Sequence, residues 1–107
     1  MAKIAFIDEE TKLNYFKLET GRDDEPHLFV SITHLIDKLR EIPFFGTQVK
    51  KDLFPKEYKK YNLQNLWKFN LSKDMRLTYT ITSDDKTIVV IIIEWFDHKK
   101  YDRRFSY

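Results

Sequence analysis

The sequence predicts an α+β domain: an N-terminal strand and two helices packed on one face of a mostly antiparallel sheet. Three observations lead there. Before Pro43 the apolar residues recur with a helical period, and from Leu66 they recur with a period of two. The late segments are separated by short polar turns, which force antiparallel neighbours. A chain of 107 residues has room for one domain, residues 1–107.

Lys3 to Ile7 reads as a short apolar strand. Asp8 stands at a helix N-cap, and Glu9 and Glu10 suit the positive end of a helix dipole. A helix from about Glu9 to Glu19 would put Leu13, Phe16 and Thr20 on one face, although Leu13 to Leu18 also reads as a hairpin strand. Gly21 to Glu25 is a polar break, and Pro26 fits the first turn of a second helix. Leu28, Ile32, Leu35, Ile36 and Leu39 then form one amphipathic stripe, ended by Ile42-Pro43.

Phe44 to Asn65 has no strong period and gathers Lys50, Lys51, Lys56, Tyr58, Lys59, Lys60 and Tyr61 around Gly46 and Pro55. It reads as a loop with one short helical turn. A connection of that length in a compact domain is usually functional or packs on something. Trp67, Phe69 and Leu71 then alternate with Lys68 and Asn70, and Leu77, Tyr79 and Ile81 alternate with Arg76, Thr78 and Thr80. Ser72 to Asp74 and Ser83 to Lys86 are the turns. Thr87 to Phe96 is apolar on both parities, which predicts a central strand covered on both faces. Two helices can cover only one face of such a sheet. The other is expected to be open and to carry Lys68, Asn70, Arg76 and the threonines.

Composition narrows the function. Apolar residues make up 42% and aromatic rings 16%, enough for a real core. With no cysteine, disulfides and zinc–thiolate sites are excluded. His27, His34 and His98 are scattered, and His34 reads as a flank residue of the second helix, so no metal and no cofactor is expected. The start, MAKIAFIDEE, lacks the apolar run of a signal peptide, and the longest apolar run, Ile88 to Ile93, is too short to span a bilayer. A cytoplasmic protein with no membrane partner is expected. Residues 1–41 hold six Lys and Arg against nine Asp and Glu, a net −3, whereas residues 42–107 hold thirteen against eight, a net +5. Such asymmetry reads either as a face that meets an anion or as a solvated basic surface.

The segment from Glu94 to Tyr107 carries the densest chemistry. Residues 98–104 bring together His98, Lys99, Lys100, Tyr101, Arg103 and Arg104. Cations bind phosphate, Arg does so bidentately, rings stack on unpaired bases and His moves protons near neutral pH. The alternative is a charged tail capped by packing aromatics. Arg76 points to the predicted open face, either toward an anion or into a cross-strand salt bridge with Glu94. If the chain stays extended, Glu94 and His98 share parity, so that Glu94 either orients His98 or neutralises Arg76.

Leu66-Trp67-Lys68-Phe69-Asn70-Leu71, Arg76-Leu77-Thr78-Tyr79 and His98-Lys99-Lys100-Tyr101, in this order, resemble the RelE/ParE toxin superfamily. Gly46-Thr47-Gln48, Glu94 to Tyr101 and Arg103-Arg104-Phe105 resemble its archaeal RelE-like branch. The likeness covers residues 28–107; the first 27 residues fit in layout only. The turn Ser72-Lys73-Asp74-Met75 departs from the Gly-containing turn of many members.

The resemblance implies a type II toxin that cleaves mRNA without a metal, often on the ribosome, and that a cognate antitoxin neutralises. Arg76 would contact the scissile phosphate, His98 would transfer a proton or contact phosphate, and Tyr101 would stack or position substrate; Glu94, by the strand parity above, would orient His98. Lys68, Lys99, Lys100, Arg103 and Arg104 would bind RNA. Phe44, Phe45, Leu53 and Phe54 read either as an antitoxin dock or as packing under the long loop. Two other functions fit the same pattern: a non-catalytic, ParE-like toxin that binds a protein, and an orphan RNA-binding domain.

Overall fold

Alternation and helical periodicity each find their partner in the folded chain. A computed structural model of the protein describes residues 1–105; Ser106 and Tyr107, the end of the aromatic tail, lie outside the described residues. The elements run β1 (Lys3–Phe6), α1 (Glu9–Leu18), α2 (Glu25–Glu41), β2 (Thr47–Gln48), two 3-10 turns (Lys51–Leu53 and Lys56–Tyr61), β3 (Trp67–Asn70), β4 (Met75–Asp84), β5 (Thr87–Asp97) and α3 (His98–Arg104). The sheet has the order β1-β5-β4-β3-β2. β1 pairs parallel with β5, and every other pair is antiparallel. β5 is thus flanked on both sides, as its unbroken apolar run predicts.

Asp8 caps α1 by accepting from the Thr11 amide at 2.7 Å. The Thr11 side chain first, and its amide second, hold the Asp8 carboxyl below the ordinary carboxylate range. The buried face of α1 is not the expected one. Tyr15 and Leu18 point inward, while Leu13 and Phe16 are 49% and 53% exposed. The helix turns to bury its Tyr ring, which stacks on Phe29 at 4.8 Å and bonds Thr33 through its hydroxyl. In α2 the stripe behaves as predicted: Ile32, Leu35, Ile36 and Leu39 are buried against Leu77, Tyr79, Val90 and Ile92. Full burial of each such side chain is worth about 1.5–3 kcal/mol.

The long connection contributes an edge strand and the two 3-10 turns. Gly46 is fixed by contact: its amide donates to the Tyr79 hydroxyl at 2.9 Å, and a Cβ there would meet the Lys68 carbonyl oxygen at 2.5 Å. The turn between β3 and β4 closes without glycine. The Ser72 hydroxyl accepts from the Met75 amide at 3.2 Å, and Arg76 Nη1 donates to the Ser72 and Lys73 carbonyls at 3.1 Å each. The β4–β5 hairpin turns through Asp85 in the left-handed region (φ 57°).

The second face of the sheet is not open along its whole length. Tyr58, Leu66, Ile93, Phe96 and Phe105 form a second apolar cluster there, and Thr78 and Thr80 are buried beneath it. The loop lies down on this face because its hydroxyl and amide groups find partners in β4. Tyr58 shares a hydrogen bond with Thr78 at 2.8 Å, and Asn65 bonds Ile81 through both ends of its amide. The register of β4 on β5 slips once: Thr78 faces Glu94, but Tyr79 faces Ile92, leaving Ile93 as a bulge. Ile93 and Glu94 therefore both serve the second face. Among the described residues no helix is long and apolar enough to cross a membrane.

Candidate functional site

Two rows of side chains cross the second face. Asn70, Arg76 and Phe96 are register partners in one row, and Lys68, Thr78 and Glu94 in the next. Over them lies α3: the chain does not stay extended beyond Asp97 but coils into a helix. Asp97 starts it by accepting from the Lys100 amide at 2.8 Å. The helix carries Tyr101 onto the sheet, where its ring stacks on Phe96 at 5.9 Å and on Phe105 at 4.8 Å.

Tyr101 is the meeting point of two cations. Lys68 Nζ donates to the Tyr101 hydroxyl at 2.7 Å, and Arg76 Cζ lies 5.7 Å from the ring centroid. β3, β4 and α3 thus place an ammonium, a guanidinium and a phenol together. Such a group can clasp an anionic oxygen and hold a proton donor beside it.

His98 occupies the first turn of α3 and is 56% exposed, with Nε2 3.3 Å from Asp102 of the same helix. Because the chain coils at His98, Glu94 does not orient it by strand parity; neither does Glu94 pair with Arg76. Its carboxylate accepts from Arg104 Nε at 3.1 Å, from Arg104 Nη2 at 3.2 Å and from the Tyr58 hydroxyl, with Lys100 Nζ 3.9 Å away. Arg104 Nη1 also meets Glu57 at 2.9 Å. Burial opposes the Arg104 charge, but Glu94 and Glu57 outweigh it and raise the guanidinium pKa. Burial, reinforced by Glu94, pushes the Tyr58 phenol well above its ordinary value. Glu57 is held below the carboxylate range by its own backbone amide and by Arg104.

The site residues read from sequence thus divide. Lys68, Arg76 and Tyr101 come together. Glu94 and Arg104 form a separate pair, beside a cleft of about 450 Å³ that Asp8, Lys60 and Lys100 also line. Lys99 and Arg103 are exposed on α3, and no ion pair forms at either among the described residues. Tyr58 and Glu57 were not read as site residues; the only sequence signal for them was the Lys/Tyr cluster of the long loop. Among the described residues no group of three or more His, Cys, Asp or Glu side chains is placed to hold a metal ion. Phe44 and Phe45 are 58% and 42% exposed, whereas Leu53 and Phe54 pack against the second cluster.

No protein-family model and no curated protein matches the chain. Among solved structures it is similar to a YoeB/ParE toxin from Agrobacterium tumefaciens, with a TM-score of 0.61 and 15% sequence identity. The likeness covers 90% of this chain and 98% of that one. At such identity the likeness speaks for the backbone alone: this α+β chain with its mixed five-stranded sheet has a fold like that of the YoeB/ParE toxin.

Proposed function

We propose that the protein is a toxin-like ribonuclease that cuts mRNA without a metal, with the ribosome as a natural setting for the substrate. The observation that carries this is the meeting of Lys68 and Arg76 at Tyr101. In the reaction the ribose 2′-hydroxyl attacks the adjacent phosphorus and loses its proton. The bond from phosphorus to the 5′-oxygen breaks, and that oxygen takes up a proton. The products are a cyclic phosphate and a 5′-hydroxyl end. Arg76 and Lys68 offset the charge that gathers on the phosphorane oxygens. Tyr101, its hydroxyl bonded by Lys68, supplies or relays a proton. His98, exposed at the start of α3, is the further acid or base, and Lys99, Lys100 and Arg103 hold the RNA backbone.

The test is cleavage of an RNA substrate, with ribosomes present, by wild type, Arg76→Ala, Tyr101→Phe and His98→Ala. Loss of an acid, a base or a charge-stabilising group is expected to cost about 10²–10⁴ in rate. Equal cleavage by all four proteins discards the assignments.

A second reading has one observation in its favour. Arg76 Nη1 is engaged with the carbonyls of its own turn, as a structural residue would be. A ParE-like toxin that binds a protein would keep its toxicity in cells carrying Arg76→Ala with His98→Ala. An orphan RNA-binding domain would bind RNA, with log K falling as log salt rises, and cut none. For a toxin of either kind an antitoxin partner follows, and the exposed Phe44 and Phe45 are the better dock than Leu53 and Phe54.

A further inference from the structure

We infer that Arg104 is a positioning residue rather than an RNA contact: gripping Glu94 and Glu57, it fixes α3 so that Tyr101 stands against Lys68 and Arg76. What the positioning serves rests on the ribonuclease reading; the positioning itself does not.

α3 has seven residues, too few for a helix to hold itself together in water. It needs tertiary anchors, and two follow Tyr101 directly. Phe105, four residues on, is buried and stacks on the Tyr101 ring. Arg104, three residues on, has a side chain only 20% exposed. Residues three and four apart share a helix face, so Arg104, Phe105 and Tyr101 are drawn to the sheet together.

The guanidinium is already satisfied. Nε and Nη2 meet the two oxygens of Glu94 in β5, and Nη1 meets Glu57 in the second 3-10 turn. The planar fork of arginine suits such paired carboxylates, which a lysine cannot span in the same way. Glu94 is itself held by Tyr58, and Tyr58 by Thr78. A continuous series of hydrogen bonds therefore runs from the middle of β4 to the last turn of α3. Were Arg104 to bind phosphate, it would have to leave Glu94 without its main partner in a partly desolvated place. Lys99 and Arg103, exposed on the same helix, carry no such obligation.

Arg104→Gln tests this in protein carrying ¹³C-labelled tyrosine rings. The Tyr101 ring resonances, displaced by the Phe96 and Phe105 stacks, are expected to move toward free-tyrosine values. Amides from Lys100 to Phe105 should exchange about tenfold faster or more, while those of β4 keep their protection. Affinity for an RNA methylated at every 2′-oxygen, which binds without being cut, should stay within about twofold, with the same salt slope. Cleavage of the unmethylated RNA should fall about tenfold or more in kcat with KM unchanged. An unmoved Tyr101 ring overturns the proposal, as does weaker binding with a shallower salt slope.

Arg104→Lys keeps the charge and loses the fork. It should follow Arg104→Gln in the Tyr101 signature; wild-type behaviour would show that charge alone suffices and would overturn the clamp. Should Arg104→Gln fail to fold, Glu57→Gln removes only the outer arm and is expected to shift the same resonances less. Absence of any such shift overturns the proposal. A wild-type protein that cuts no RNA, yet whose Tyr101 responds in this way, would sink the ribonuclease reading and leave the clamp standing.

Discussion

On one side of the sheet Ile32, Leu35, Ile36 and Leu39 press against Leu77, Tyr79, Val90 and Ile92. On the other, Tyr58, Phe96 and Phe105 share the cover with Glu57, Glu94 and Arg104. The first layer is held by area removed from water, which is insensitive to direction. The second is held by partners that must meet at defined angles, and so it can place a phenol beside two cations. The difference teaches that this domain divides its labour: the helical hairpin supplies stability, and the loop with α3 supplies geometry.

The sharpest way to break that division is a cavity on the helical side. Leu39→Ala should cost about 2–5 kcal/mol of unfolding free energy in urea melts while leaving the Tyr101 ring signature in place. A change in that signature as large as the one from Arg104→Gln would erase the distinction. Next in size is Gly46→Ala, at the edge where the two layers meet. The new Cβ would collide with the Lys68 carbonyl oxygen and the Tyr79 hydroxyl, at an expected cost of about 1–3 kcal/mol in the same melts.

A smaller effect belongs to the polar layer alone. The fold favours the neutral Tyr58 phenol, so its folded pKa is raised. Its contribution is complete below the unfolded value of about 10 and declines as pH rises past it, by about 1.4 kcal/mol per pH unit. Tyr79, also raised by burial, adds to the same limb. Tyr58→Phe should lower stability at pH 7 but flatten the alkaline slope measured between about pH 9 and 11, leaving the Tyr79 share. An unchanged slope would mean that Tyr58 is not shielded from water as the packing requires.

Legibility followed the same line. The α2 stripe, the Asp8 cap, the hairpin order and the interior place of β5 are written in periodicity and turn chemistry, because their causes lie within a few residues. The buried face of α1 was misread because Leu13 and Phe16 fit a stripe as well as Tyr15 and Leu18 do, and only Phe29 and Thr33 decide between them. α3 was not foreseen because His98 to Arg104 has no apolar stripe; Asp97, as a cap, was its one local sign. In the site, strand parity set Lys68 and Arg76 on the second face, and the family resemblance pointed to Tyr101. In the Arg104–Glu94–Tyr58 grouping Glu94 and Tyr58 bond across 36 positions, and no local pattern encodes it.

The bulge at Ile93 has a consequence for how this chain can vary. Ile93 and Glu94 share a face, so the bulge resets the alternation of β5; were the strand to run regularly through Ile93, every side chain beyond it would swap sides. Glu94 would enter the greasy layer under α2, and Trp95 would take its place opposite Arg104. A deletion in the β4–β5 hairpin could be absorbed by a new turn. Deletion of Ile93, four residues before Asp97, would make the strand regular and leave Glu94, Trp95 and Phe96 on the faces they now occupy, so this is a place where β5 can lose a residue without exchanging its two sides.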